Sequence, residues 1–187
     1  MGTPSAEWYI DALMAHENLP YYVGLLTAAA IHGASHQAIQ EFQVITNRLL
    51  PRIVAGRTRM VFSYRKDMAA VAMGIEDRKV PSGYVKLSTP ELTVLDLLRY
   101  PRRGAGFDNI ATVLCEIGER LNSRKLARLS SAFERAVGQR LGHLLERFGN
   151  KKLADALYPR LSARGMQWTE LNPRQAGDPD LSPPTGA

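Results

Sequence analysis

Strand-like segments occupy only the part of the chain before Ser88, and from Thr89 onward the apolar residues recur at helical spacing. A run of strands followed by a run of helices excludes regular βαβ alternation and predicts an α+β domain. The clearest strand is RTRMVFSYRK, residues 57–66, in which Thr58, Met60, Phe62 and Tyr64 alternate with Arg57, Arg59, Val61, Ser63 and Arg65. That alternation predicts a half-buried strand with three arginines on its open face. FQVIT, 42–46, and GYVKLS, 83–88, are the other two strands expected. The expected architecture is a small mixed β-sheet packed by N-terminal helices, with an all-helical C-terminal half.

Two N-terminal helices are expected. Residues 5–17 carry the stripe Trp8, Ile10, Leu13 and Met14, and YYVGLLTAAAIHG, opened by Pro20, is apolar on nearly every side, as a buried helix would be. Residues 67–79 read as a helical turn and a polar loop. In STPELTVLDLLRY, Ser88 stands three residues before Glu91, the spacing of a capping box, while Pro90 equally fits the first helical position behind a Thr89 cap. Further helices are expected near 107–121, 123–136, 139–148 and 151–163. One domain, 1–172, would comprise a sheet-containing part to about 88 and a helical part from 89. Residues 173–187, rich in Pro and Gly, would form a disordered tail.

Composition narrows the class. A chain of 187 residues with 45% apolar content needs no staple, and its single cysteine excludes disulfide frameworks and zinc ribbons. Acid where a signal peptide requires base, and no run of eighteen apolar residues, point to a cytoplasmic protein. Charge is segregated: net −4 over residues 1–47, +6 over 48–86 and +8 over 99–164. Such segregation suits an anionic partner, nucleic acid or an acidic protein face. Arg57, Arg59 and Arg65 on the strand, with Arg48, Arg52 and Lys66 flanking it, are the candidate contacts, because arginines two apart on a strand stand about 6.5–7 Å apart, near the spacing of phosphates.

Catalytic signatures are sparse. The chain contains no GxSxG, P-loop, GxGxxG after a strand, or HExxH. Asp178-Pro179-Asp180 lies in the tail. His32 and His36 have metal-ligand spacing, but Gly33 interrupts the helix between them and no third ligand is near, so no metal or cofactor is expected. Asp67, Asp77 and Lys79 resemble a nuclease arrangement and define the alternative reading, a metal-dependent nuclease-like or transferase-like enzyme; their segment reads as a solvated loop. Cys115, among Ile110, Ala111, Leu114 and Ile117, reads as core filling. Asp96 interrupts an otherwise apolar helix, so its carboxylate must be buried and paired. Arg140 is the expected partner, with Arg99 as the substitute.

YYVGLLTAAAIHGASHQ, LSTPELTVLDLLRY with its loop into FDNIATVLCE, and QRLGHLLERFG follow the order and spacing of the AbiEi-family antitoxins of type IV toxin–antitoxin and abortive-infection systems, which this chain resembles from about Pro20 to Trp168. The resemblance implies a non-enzymatic antitoxin and transcriptional regulator that counteracts a nucleotidyltransferase-like toxin in phage defence without a stable complex. It also implies an N-terminal winged helix-turn-helix that represses the operon. Only one predicted helix precedes Tyr21, so that DNA-binding module is expected to be missing, the chain being a naturally short member or the effector domain alone.

Overall fold

The computed structural model describes residues 5–34, 41–56, 58–148, 150, 152–155 and 157. Six strands form one mixed sheet: β1 (Tyr21–Val23), β2 (Glu41–Thr46), β3 (Ile53–Ala55), β4 (Thr58–Tyr64), β5 (Ile75–Val80) and β6 (Gly83–Ser88), in the spatial order β3-β4-β2-β1-β6-β5. The β2–β4 and β1–β6 pairs are parallel, and the other three are antiparallel. Helices α1 (Ile10–His16) and α2 (Leu25–Ile31) belong to the N-terminal half. After Ser88 the elements are helical: α3 (Pro90–Arg99), α4 (Phe107–Ile117), α5 (Ser123–Ser130) and α6 (Arg135–Arg147). The tail expected at 173–187, and most of the helix expected at 151–163, lie outside the described residues. The α+β class stands; the sheet has six strands where the sequence predicts three.

Each additional strand lacks the period-two signal for a physical reason. Tyr21–Val23 lies in the sheet interior and is buried on both faces, so it reads as continuous apolar chain, which periodicity cannot distinguish from a buried helix. The single helix expected there is instead β1 and α2, separated at Gly24. A Cβ at Gly24 would stand 3.1 Å from Ile45 Cδ1, and the next residue, Leu25, turns the chain with φ +56°. β5 is an edge strand bearing Glu76, Asp77, Arg78 and Lys79, and charge is how edges are kept from pairing further. Its composition therefore looks like a loop. β3 has only three residues.

Both faces of the sheet are covered. On one, Tyr21, Val23, Val44, Met60, Phe62, Val85 and Leu87 pack with Ile10 and Met14 of α1. On the other, Tyr22 and Ile45 pack beneath α3 and the helices around it. All residues of α3 from Glu91 to Leu98 are buried. Thr89 is its N-cap and Pro90 its first residue, so the capping box does not form. Glu91 instead accepts the Asn122 N–H at 2.8 Å, tying α3 to the start of α5. Gly74 sits where a Cβ would approach Leu92 Cβ to 2.9 Å and Leu129 to 3.1 Å. Gly74→Ala is expected to destabilise the fold by about 1–3 kcal/mol in urea unfolding, because neighbours on two helices must shift.

Candidate functional site

The strand β4 continues into Arg65, whose N–H donates to Thr46 O at 2.9 Å. Val61, Ser63 and Arg65 on the side read from sequence as open are buried, whereas Arg59 on the same side stays exposed. Arg65 is 2% exposed and Asp96 is 0% exposed. Arg65 Nη2 donates to Asp96 Oδ1 at 2.6 Å, and the Tyr22 hydroxyl donates to Oδ2 at 2.7 Å. The Arg65 guanidinium also lies over the Phe133 ring, 4.4 Å from its centroid, while its Nε has no hydrogen-bond partner. One buried cluster thus joins β1, β4, α3 and the segment before α6.

Arg65 therefore takes the place at Asp96 that was expected of Arg140. Arg140 instead lies over Phe107, 5.7 Å from the ring centroid. Arg99, the substitute, pairs with Glu134 at 2.8 Å and adds a favourable field at Asp96. Burial pushes the Asp96 carboxyl upward, and Arg65 and Tyr22 pull it back only in part. Burial beside this carboxylate holds the Tyr22 phenol well above its ordinary range. These are the marks of a structural tie whose charges face each other rather than a ligand.

Of the candidate contacts, Arg48, Arg52, Arg59 and Lys66 are exposed, Arg65 is not, and Arg57 lies outside the described residues. The exposed four do not form one row. Because β2 and β4 are parallel, Arg48 and Lys66 leave the sheet at one end, whereas Arg59 pairs with Glu41 near the other, about 20 Å along the strand at ~3.3 Å per residue. Arg59 also stands opposite Val54. The phosphate-spaced ladder of three arginines is thus not formed by Arg59 and Arg65.

The two acids of the alternative reading are engaged locally. Asp77 and Lys79 do lie on a strand, the edge strand β5, where the sequence predicts a loop. The Asp77 carboxylate meets Lys86 Nζ at 2.6 Å, and Asp67 accepts the Ala70 N–H at 3.0 Å, capping the 3-10 turn Ala69–Gly74. Among the described residues, no three His, Cys, Asp or Glu side chains are grouped to hold a metal. His32 Nε2 hydrogen-bonds Ser88 O at 2.7 Å; His36 and Asp178-Pro179-Asp180 lie outside the described residues. Cys115 is exposed, a correction to its reading as core, because α4 turns Ile110, Val113, Leu114 and Ile117 inward and leaves it on the far side.

Sequence reasoning missed Tyr22 and Gln43 altogether. Gln43 is buried in β2; its Oε1 accepts the Leu26 N–H at 2.8 Å and its Nε2 donates to Arg103 O at 3.0 Å, clasping α2 to the loop after α3. The signal for both was a polar group inside an apolar run, the same signal that exposed Asp96.

A six-stranded mixed sheet, with α1 on one face and a helical C-terminal half built around α3 on the other, defines the chain as an α+β domain tied together by buried polar clasps. The chain belongs to the AbiEi antitoxin C-terminal domain family, which it matches over residues 22–147. Among solved structures it shares its fold with the RV2827C protein from Mycobacterium tuberculosis, at a TM-score of 0.64 and 15% identity over 93% of this chain. The match spans 64% of that protein. The antibiotic-resistance factor ANT(2'')-Ia is more remote, with a TM-score of 0.43 and 13% identity over 74% of this chain and 94% of that one. No curated protein matches the chain. Among the described residues, no helix is long and apolar enough to cross a membrane.

Proposed function

We propose that this chain is the non-enzymatic antitoxin and regulatory component of a type IV toxin–antitoxin system, opposing a nucleotidyltransferase-like toxin in the cytoplasm without forming a stable complex with it. The family match over residues 22–147 carries this reading. Asp67 accepts the Ala70 N–H and Asp77 pairs with Lys86, so both acids of the nuclease-like alternative have local partners. Nucleic acid is the second expected partner, through the exposed Arg48, Arg52, Arg59 and Lys66. Co-expression with the neighbouring open reading frame tests the antitoxin role: growth arrest by that frame alone and recovery on co-expression are expected, and arrest that persists beside abundant folded protein would refute it.

The basic residues are tested separately. Replacing Arg48, Arg52, Arg59 and Lys66 by Gln should leave the thermal transition nearly unchanged, since all four are exposed. Binding to operon DNA should weaken, and the slope of log affinity against log salt should fall by about one for each phosphate no longer neutralised. An unchanged slope would leave these residues the role of a solvated surface.

A further inference from the structure

The two edges of the sheet are unlike. β5 carries four consecutive charged residues, Glu76 to Lys79, and is thereby guarded against another strand. β3, Ile53-Val54-Ala55, carries none, and among the described residues its outer side has no neighbour in the sheet. Val54 is 58% exposed and Leu49, in the loop before it, is 83% exposed. Ile53 packs towards the core beneath Met60, so one side of this edge continues an apolar layer. On the other side two arginines stand at the edge: Arg59 is the cross-strand neighbour of Val54, and Arg52 precedes Val54 by two residues, with Glu41 beyond Arg59 on the inner strand.

We propose that the edge of β3 accepts an extended segment of a partner protein in which apolar and acidic residues alternate. Backbone groups of the added strand would pair with β3; its apolar residues would extend the layer containing Ile53, and its acidic ones would face Arg52 and Arg59. A second copy of this chain fits less well, because two β3 edges side by side would gather four arginines on one surface. This inference goes beyond the antitoxin reading, and its experiment turns on Val54, which that reading does not use.

The probe is a fluorescein-labelled hexapeptide, Val-Glu-Val-Asp-Val-Glu, titrated with the full chain and followed by fluorescence anisotropy. Saturable binding is expected, about tenfold weaker after Arg52→Glu with Arg59→Glu and weakened by salt. Val54→Asp, which sets a like charge against the peptide's acidic residues on an exposed side chain, should abolish binding while circular dichroism stays unchanged. The same peptide N-methylated at alternate amides should not bind. Absence of saturable binding, equal binding of the N-methylated peptide, or an unaffected Val54→Asp variant would each overturn the proposal. So would a concentration-dependent dimer that Val54→Asp dissociates, which would make the occupant a second copy.

Discussion

Asp96→Ala is expected to lower the unfolding free energy by about 3–5 kcal/mol in urea denaturation, the cost of leaving a buried cation without its counter-charge. The magnitude follows from geometry: Arg65 is 2% exposed and its guanidinium is covered by the Phe133 ring. Asp96→Asn should cost nearly as much, because its amide oxygen still accepts one hydrogen bond but leaves the Arg65 cation equally without a counter-charge. Replacing both charges, Arg65→Met with Asp96→Leu, should recover most of the loss, as apolar substitutes for buried pairs commonly do. A double mutant as unstable as the sum of the singles would show that the two residues act independently. The pH dependence has a definite sign. With its folded value raised above the unfolded one, Asp96 contributes stability that is fully present below the ordinary aspartate range and lost as pH rises through the folded value. Arg65→Met removes a cation that lowers that value, so the loss should extend to higher pH in this variant and vanish in Asp96→Asn.

The second large effect is expected at Leu95→Ala, about 2–5 kcal/mol in the same assay. Leu95 is completely buried in α3, which is enclosed by α2, α4, α5 and α6. A helix held from so many directions cannot collapse onto the cavity, so the cost should fall in the upper half of that range. Leu49→Ala, at an exposed position, should change stability by no more than about 0.5 kcal/mol, and its comparison with Leu95→Ala separates burial from residue type. Growth rescue should fall with Leu95→Ala in proportion to the folded fraction, whereas the Gln variant of the exposed basic residues should lose function while remaining folded.

The elements with strong local patterning were legible because neighbouring residues carry that pattern. Alternation in 57–66, the Pro90 start of α3 and the change of period at Thr89 are properties of neighbouring residues, and each marks an element seen in the fold. The need to bury and pair Asp96 was equally local: a carboxylate within TVLDLL has nowhere wet to go. Which residue pairs with it was not local. Arg65 and Asp96 are 31 positions apart, and they meet only because β4 ends beneath α3. The same layering reversed the exposure of Arg65, since a period of two shows which side chains share a face but not which face another layer will cover. Tyr22 was hidden for the related reason that an interior strand buried on both faces has no alternation to display. By itself the sequence determined the class of the domain, the presence of a buried charge and the basic character of its surface. Tertiary packing alone decided the partner of that charge, the six-strand order and which edge of the sheet was left open, because each depends on contacts between segments far apart in the chain.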